Sequence, residues 1–428
     1  MKKIHQIIIF CVLFSNSLIL ISQETKYRRS SLHTMLIEVD NFPNKEEVLK
    51  SFSNAPFPDK YNNHDIGIKS FDHTKYKLSE KEKVGIYQLT LRSLMLTNNI
   101  DSLNCELPIK ISKFLKEEKI ANKMIAKWFN RKPDGSFDDL LISERGLFDA
   151  SFIEMKKALS SSDGIALLKT AGFELIDNTF LIVSKFNFIS NEHMAAQVRD
   201  VALKELDSVK NKDLKEILVK TVEETYRQTK DGYSVWVNSF LYKLKWNDTI
   251  SNLFYTKYWM DNSNIDINKK IAFDTTNQFS MEYIGEEKAS SIVLFSQIDT
   301  RPKEKIIEVA TVRAIDNVFA KLQKKYDVFK PRSPLLTGDP PTAKIGLKEG
   351  LERGDKFEVL EQRMDRKTGI IEYVRVDKIT VDHNLIWDNR YGVGDEPVKT
   401  NENVPAIDRT TFKKGKNLSS GLLIKQIR

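Results

Sequence analysis

The side chains best suited to acid–base or metal chemistry lie in two neighbouring pairs, His64-Asp65 and Asp72-His73. Two histidine–aspartate pairs could bind a metal ion or share a proton if the loop that carries them folds back on itself. Aspartate is also a common turn residue, and polar loops carry such side chains freely. The sequence therefore favours an ordinary surface loop, and it contains no histidine pair at the spacing of a His-Glu-x-x-His motif.

A second stretch with metal-binding character runs from Asn262 to Asp266, where oxygen-bearing side chains alternate as they do in a calcium loop. An EF-hand counted from Asn262 requires glycine at its sixth position and glutamate at its twelfth, where this chain has Ile267 and Phe273. The stretch Asn130 to Asp139 lacks early acidic ligands and is typical of a hairpin-type turn. The sequence therefore predicts no metal ligand in either stretch.

Cys105, which lies between Asn104 and Glu106, is a candidate for nucleophilic chemistry. A reactive thiol needs a basic partner, and the sequence does not locate one, so a buried or idle thiol is the favoured interpretation. The chain also lacks a Gly-x-Ser-x-Gly elbow and a glycine-rich phosphate loop, which removes the usual sequence support for acyl transfer and nucleotide hydrolysis. We accordingly predict no catalytic, cofactor-binding or metal-binding residue.

Clustered aromatic side chains suggest a different chemistry, because such rings can form a glycan-binding surface. The cluster comprises Trp236, Phe240, Tyr242, Trp246, Phe254, Tyr255, Tyr258 and Trp259. Alternation along a strand places Phe240, Tyr242 and Trp246 on one face, and one face of a sheet covered by helices is buried. We therefore expect about half of these rings to belong to the core.

The first 22 residues have the anatomy of a cleavable export signal. Lys2 and Lys3 give a positive start, an apolar run extends from Ile7 to Ile21, and polarity rises after Ser22. A retained membrane anchor is the alternative, but this run of about 15 residues is shorter than the roughly 20 that span a bilayer. We predict cleavage near Ser22 and a location in the periplasm or at the periplasmic face of the outer membrane.

Composition limits the classes of partner. The chain has 67 basic and 59 acidic residues, and these alternate in sign rather than forming long blocks. Such a mixed, solvated surface argues against nucleic-acid binding. A chain of 428 residues exceeds what one hydrophobic core usually serves, so two or three domains are expected. Cleavage of the signal would leave Cys105 as the single cysteine, so no intramolecular disulfide is expected.

Residues 23–331 are predicted to form an α+β domain. Alternating apolar residues predict strands at Thr179 to Ile189, Gly232 to Trp246, Gln278 to Ile284 and Ser290 to Phe295. Two charged, amphipathic helical stretches between the first two strands predict a helical insertion at 194–230, and a long helix is predicted from Pro302 to Phe329. Consecutive strands with helices gathered at the ends favour an antiparallel sheet with helices mainly on one face.

Residues 332–428 are predicted to form a small β-barrel domain after a linker rich in Pro, Gly and Thr near Ser333-Pro334. Short strands and glycine turns follow one another from Ala343 to Trp387. The polar stretch Asn401 to Lys416 is predicted to be disordered. Because a small barrel has edges that must be paired, the apolar segment Leu422 to Ile427 is predicted to return and close it.

Three sequence patterns resemble known families. Gly350-Leu351-Glu352-Arg353-Gly354-Asp355-Lys356-Phe357-Glu358-Val359 resembles the start of the C-terminal β-barrel module of flagellar assembly protein T, and Glu144-Arg145-Gly146 with the paired strands resembles the α/β domain of the curli secretion channel family. The motifs Arg28-Arg29-Ser30-Ser31-Leu32, Pro58-Asp59-Lys60-Tyr61-Asn62, Trp128-Phe129-Asn130-Arg131 and Trp387-Asp388-Asn389 resemble a family of exported Gram-negative bacterial proteins with no assigned activity. These resemblances imply an envelope location and no particular reaction.

The function expected from the sequence is that of a non-enzymatic envelope protein that assembles with other envelope proteins, with possible peripheral contact with the outer membrane and no nucleic-acid partner. Two alternatives stay open. One is a hydrolase of envelope polymers that uses carboxylates such as Asp65, Asp72 or Glu106. The other is a glycan-binding module built on the aromatic cluster.

Overall fold

The computed structural model describes residues 27–38, 44–86, 106–148, 172–230, 233–293, 301–364, 371–382, 385–395, 407–413 and 415–427. The predicted signal segment 1–22 and Cys105 lie outside these residues. Among the described residues, no helix combines the length and the apolar character that crossing a bilayer requires.

A six-stranded mixed sheet forms the centre of the first part of the chain. Its strands are β1 (Ser31–Ile37), β2 (Asn62–Asn63), β3 (Ser70–Phe71), β4 (Thr179–Ser190), β5 (Tyr233–Leu244) and β6 (Met281–Val293). The order is β2-β1-β4-β5-β6, with β3 also paired to β1. Together with the helices described below, this sheet confirms the α+β class.

The sheet is not wholly antiparallel, and in this respect the prediction was wrong. β1 runs parallel to β4 from Ser31, opposite Thr179, to Leu36, opposite Ser184. Parallel neighbours need a long crossover connection, and the chain between Ile37 and Thr179 supplies one that includes several helices. The pairs β4–β5 and β5–β6 are antiparallel, as expected from strands that follow one another.

Helices cover both faces of this sheet, whereas the sequence predicted helices mainly on one face. The assigned helices here are α1 (Lys45–Asn54), α2 (Glu106–Glu117), α3 (Ile120–Trp128), α4 (Leu140–Phe148), α5 (Glu192–Glu205), α6 (Lys212–Lys230), α7 (Asp248–Lys257), α8 (Ile267–Thr275) and α9 (Lys303–Lys325). One face packs against α2, α3, α4, α7 and α8, and the other packs against α1 and α9.

The sequence of β4 explains this two-sided burial. Phe180 and Ile182 contribute to the core beneath α9, while Leu181 and Val183 contribute to the core on the opposite face. A strand with apolar residues at both its odd and its even positions is buried on both faces. The two cores therefore lie on opposite faces of β4. The alternation of Phe180 and Ile182 in the sequence predicted only one of these two buried faces.

β6 is a single strand of 13 residues, although the sequence predicted two strands here. The predicted gap contains Gly285, where the pairing register with β5 shifts. A Cβ atom at this position would lie only 2.1 Å from the Tyr326 hydroxyl oxygen, so the glycine permits a close approach. The Tyr326 hydroxyl also accepts a hydrogen bond from the Glu286 backbone N–H at 3.0 Å. The glycine is thus a packing site within a continuous strand.

The long helix α9 confirms the prediction of a helix between Pro302 and Phe329 and is buried along most of its length. Twelve of its 23 residues are buried. Ile307, Val318 and Leu322 pack on the sheet. On another side of the helix, Val309 lies against Gly392 and Ala320 lies against Gly350. α9 therefore joins the first sheet to the C-terminal part of the chain.

The C-terminal strands form a second sheet that curls into a half-barrel. They are β7 (Ser333–Pro334), β8 (Thr337–Gly338), β9 (Pro341–Ala343), β10 (Lys356–Met364), β11 (Ile371–Val381), β12 (Thr410–Lys413) and β13 (Leu423–Ile427). Their order is β7-β13-β10-β11-β12-β9-β8. A core that includes Phe357, Val359 and Phe412 fills the concave side.

Two predictions about the end of the chain have different outcomes. The terminal segment does return to the sheet, because β13 pairs with β10 on one side and with β7 on the other, while closure of a barrel by this strand stays a prediction. Disorder throughout Asn401 to Lys416 was wrong, because Thr410–Lys413 forms β12, with Thr410 and Phe412 buried. β12 is held by pairing with β9 on one side and β11 on the other. Its short, mostly polar sequence does not predict a strand, because strand formation depends on such neighbours.

Truncation of the chain after Ser420 should destabilise the C-terminal sheet. Leu423 and Ile424 are each only 1% exposed, so their loss should cost about 3–6 kcal/mol at about 1.5–3 kcal/mol per fully buried side chain. Denaturant unfolding of the full-length and truncated chains measures the difference. A Gln426→Ala variant, which keeps the strand and both buried side chains, serves as the control. An unchanged unfolding midpoint after truncation would contradict the role of β13 in the sheet.

Candidate functional site

Helices α5 and α6 form a hairpin that leaves the first sheet between its two central strands. β4 and β5 pair as far as Ser190, which lies opposite Tyr233. A short turn would be enough to join two such strands, yet the chain inserts two helices at this point. The two helices lie where the sequence predicted a helical insertion at 194–230. Residues 192–230 are called the arm below.

The two helices of the arm pack against each other around a cavity of about 270 Å³. Small residues on α5 leave this space, since alanine fills less of the gap between two helices than a larger side chain does. Arg199 lies over the ring of Tyr226 at 4.4 Å from the ring centre. The cavity is lined mainly by Ala195, Val198, Ala202, Val222, Thr225 and Tyr226.

Apolar side chains of the arm are exposed to solvent to an unusual extent. No residue of the 19-residue helix α6 is buried. Val198 and Val201 on α5 are 63% and 59% exposed, and Leu214 and Ile217 on α6 are 48% and 62% exposed. These four residues are called the arm patch. An ordinary amphipathic helix buries its apolar side, so the arm patch is a surface that the fold itself does not cover.

Helix geometry places the four residues of the arm patch on one side of the arm. Each pair is three residues apart on its own helix and therefore forms one stripe. At about 100° per residue, the centre of each stripe is displaced by roughly a quarter turn, in the same rotational sense, from the centre of the side that lines the cavity. Val198 lies at the border and also lines the cavity. Because the helices of a hairpin are antiparallel, equal displacements bring both stripes to the same side. The patch lies toward the tip, since Val201 is near the end of α5 and Leu214 near the start of α6.

The arm has no net charge, with eight basic and eight acidic residues between Glu192 and Lys230. Many of the charges are paired within the arm, as in Lys215 with Asp207 at 3.0 Å and Lys220 with Glu216 at 2.9 Å. Exposed pairs of this kind contribute little to stability. The arm patch is therefore an apolar surface inside a neutral, mixed-charge surround.

The two histidine–aspartate pairs do not form a shared site, and the favoured prediction of a surface loop is wrong for His64. His64 is buried, with Nε2 at 2.9 Å from the Met124 carbonyl oxygen and Nδ1 at 3.2 Å from an Arg145 guanidinium nitrogen. Its ring stacks on Trp128, and the guanidinium of Arg145 also lies over the Trp128 ring. Burial lowers the pKa of His64 to about 3, so the ring is neutral at physiological pH. His64 is a hydrogen-bonded part of the core.

The carboxylates considered for hydrolysis have separate structural partners. Asp65 forms an ion pair with Lys69 at 2.5 Å, and Asp72 accepts a hydrogen bond from the Thr74 backbone N–H at the start of a short helix. Glu106 is paired with Lys110 at 3.0 Å on the first turn of α2. Hydrogen bonds from Thr74 lower the pKa of Asp72, which is the reverse of what a general acid needs. Within the described ranges, no three His, Cys, Asp or Glu side chains are grouped as metal ligands.

The two acidic stretches have local structural roles. Asp266 accepts hydrogen bonds from the backbone N–H groups of Asn268 and Lys269 and so caps the start of α8. Asp261 accepts from Ser263 in the preceding turn, and Asp134 accepts from Ser136 in the same manner. Carboxylates that receive backbone N–H groups in turns are a common structural use of aspartate. These contacts account for both stretches.

The aromatic cluster divides between core and surface in the predicted way. Phe240, Tyr242, Trp246, Phe254 and Tyr258 are buried in the core on one face of the sheet. Trp236 and Tyr255 are exposed. More than half of the rings are therefore structural.

The sequence analysis missed one titratable group, Asp316 on α9. Its side chain is 11% exposed and lies 3.9 Å from the Lys348 ammonium group. Burial raises the pKa of Asp316 to about 7, with Lys348 opposing the rise and Glu349 and Asp59 adding to it. An acidic residue next to the buried Ile315 in a long apolar helix was the sequence signal for it.

Comparison of the whole chain with known proteins found no matching family model and no matching curated protein. The resemblances to flagellar assembly protein T, to the curli secretion channel family and to exported Gram-negative proteins therefore stay predictions. Within the described residues, the arm patch is an exposed apolar surface from which a function can be inferred.

Asp316 should make stability depend on pH. Its folded-state pKa of about 7 lies above its usual value of 3.8, so the folded chain holds the proton more tightly and stability decreases as pH rises from 4 to 7. Asp316→Asn should therefore match the parent chain near pH 4 and exceed it at pH 8 by about 2–4 kcal/mol, at about 1.4 kcal/mol per pKa unit. Chemical denaturation at both pH values measures this difference.

The control for this experiment is Glu304→Gln, which neutralises an exposed carboxyl in the first turn of the same helix. It should change stability by no more than about 0.5 kcal/mol at either pH, as is usual for surface substitutions. An effect of Asp316→Asn that is equal at pH 4 and pH 8 would refute the raised pKa.

Removal of the arm should leave the rest of the fold cooperative. The deletion joins Ile189 to Gly232 through a glycine-rich turn and shortens the connection between two paired strands, so the closure entropy changes little. Because α6 contributes no buried residue, thermal unfolding should remain a single transition. Calorimetry and circular dichroism measure this. A broad, non-cooperative transition would show that the arm belongs to the core.

Proposed function

We propose that this protein is a non-enzymatic assembly component of the bacterial cell envelope and that it binds another protein chain through the arm patch. The observation that carries the proposal is the exposure of Val198, Val201, Leu214 and Ile217 on one side of a projecting hairpin. Scattered exposed apolar residues are normal in soluble proteins, whereas several on the same side of one surface element are typical of an interaction site.

The magnitude of the hydrophobic effect supports this interpretation. Full burial of an aliphatic side chain contributes about 1.5–3 kcal/mol relative to exposure. The arm patch leaves about half or more of that contribution unused in each of its four side chains, because they are 48–63% exposed. A partner that covers the patch would gain this free energy, while the folded chain alone does not.

The base of the arm is suited to holding a contact surface in place. The arm connects β4 and β5, the strands at the middle of the sheet, which pair with each other from Phe180 to Ser190. At the base, the Ser234 hydroxyl donates a hydrogen bond to the Asn191 side-chain oxygen at 2.7 Å. A binding surface that is fixed on paired strands loses less entropy on binding than a loop does.

Export and the C-terminal module complete the proposal. Residues 1–22 would direct the chain out of the cytoplasm, and the mature protein would act in the periplasm or at the periplasmic face of the outer membrane. The C-terminal sheet would close as a small barrel and serve as a second docking module. Two hydrogen bonds support closure, because Leu335 and Leu336 join the two edge strands β7 and β8. Their backbone N–H groups donate to the carbonyl oxygens of Leu422 and Thr342, which lie toward opposite ends of the strand order.

Affinity capture from native envelopes tests the role of the arm. The tagged chain is compared with Val201→Lys and Ile217→Lys, which place a charge in the arm patch, and with Ala196→Lys. The control adds the same charge to α5 outside the patch, because residues 196 and 201 are five positions apart and face different sides of the helix. We expect the parent chain and Ala196→Lys to recover the same protein, and both patch variants to lose it.

The result would count against the proposal if all four chains recovered the same proteins in the same amounts. Circular dichroism of each variant would confirm that the helices remain folded, so that a loss of capture reports the surface and not the fold. Mass spectrometry of the captured band would identify the partner chain and would show whether it is a copy of this chain.

A further inference from the structure

We propose that the chain bound by the arm patch is a second copy of this protein, so that two arms form a four-helix bundle about a two-fold axis. This inference rests on the proposed function, in which the arm patch binds a protein. It adds the identity of the partner and the symmetry of the contact.

The architecture of the arm favours a partner of the same kind. Two antiparallel helices have an apolar side that needs a second layer, and the usual second layer is another pair of helices. The patch offers two aliphatic residues from each helix, Val198 and Val201 beside Leu214 and Ile217. A two-fold axis through the patch would bring four such residues against four, which is the self-complementary contact found in most homodimers.

The charges around the patch also favour self-association. On α6, the residues that border Ile217 at helical spacing are Asp213, Lys220 and Glu224, which are mixed in sign. On α5, Val201 is bordered by Lys204 and Glu205, again of opposite sign. A partner selected by charge would require a surplus of one sign on the arm, and there is none, since eight basic residues balance eight acidic ones. Two identical neutral arms do not repel each other.

The rest of each molecule leaves room for this contact. The arm patch is near the tip, toward the end of α5 and the start of α6. A 19-residue helix is about 28 Å long at about 1.5 Å per residue. The tips can therefore meet while the two sheets remain apart.

The size of the patch predicts a weak dimer. Four partly exposed aliphatic side chains in each copy make a small interface, well below the roughly 1,200–2,000 Å² of stable complexes. We therefore expect a dissociation constant on the order of micromolar, which corresponds to about 8 kcal/mol. Such a dimer is populated when the protein is concentrated locally in an envelope compartment.

Sedimentation velocity of the signal-free chain from about 1 to about 100 µM tests the proposal, a range that spans the expected dissociation constant. The parent chain and Ala196→Lys should shift from monomer to dimer with increasing concentration. Val201→Lys and Ile217→Lys should remain monomeric across the range, because dimer formation would bury an unpaired charge on each arm. The arm-deleted chain provides a second monomeric control.

Two outcomes would overturn the inference. The parent chain could remain monomeric at every concentration, or a dimer could persist unchanged in both patch variants and in the arm-deleted chain. Envelope capture then separates this failure from failure of the proposed function. If the parent is monomeric but Ile217→Lys loses a captured envelope protein, the arm binds a different chain and only the assignment of the partner as a second copy is wrong. If capture is also unaffected, both proposals are wrong.

Discussion

The burial of α9 on more than one side is the constraint on which the rest of the structure depends. One side of the helix covers the first sheet through Ile307, Val318 and Leu322. Another side contacts the C-terminal region, where Arg313 donates a hydrogen bond from Nε to the Tyr391 carbonyl oxygen at 2.9 Å and Lys324 pairs with Glu352 at 3.2 Å. A helix that has apolar residues over so much of its circumference is stable only when it is covered by more than one layer. α9 therefore serves both sheets, and Asp316 has a raised pKa because it lies within this covered region.

Much of the fold could be predicted from the sequence because local patterns determine it. Alternation identified β4 and β5, helical spacing identified the arm and α9, and the apolar ending Leu423-Ile424 identified β13. The parallel pairing of β1 with β4 could not be predicted, since it joins residues about 150 positions apart and depends on helices that lie between them. The continuity of β6 was also hidden, because a glycine inside a strand has the same sequence signature as a break. The reason for glycine at position 285 is the side chain of Tyr326, which lies far along the chain and packs where a Cβ atom would be.

The candidate site shows the same division between local and distant causes. The helical character of the arm is local, and its position between β4 and β5 was predicted. Val198 and Ile217 are exposed because no other part of the described fold packs over them. A local sequence pattern cannot predict this, since it carries no information about distant neighbours. His64 is the converse case, since its sequence neighbour Asp65 suggested chemistry while its actual partners, Met124 and Arg145, are 60 and 81 residues away. Proximity in sequence left a shared proton open and favoured a surface loop, whereas proximity in space makes the histidine part of the core.

A second group of exposed apolar residues, on and beside α8, differs from the arm in how its helix is anchored. On and beside α8, Ile265, Ile267 and Ile271 are also more than half exposed. That helix is nonetheless anchored, because Phe273 is buried in the core and Asp266 caps its first turn. Its exposed residues are the outer side of a helix that contributes to folding.

α6 contributes no buried residue, so its 19 residues are ordered without adding to either core. Ordering a backbone costs about 1–2 kcal/mol per residue, and in the arm this cost is offset mainly by contacts between two helices. The arm thus extends the surface of the molecule much more than its core, which is the physical character of a surface that another chain completes.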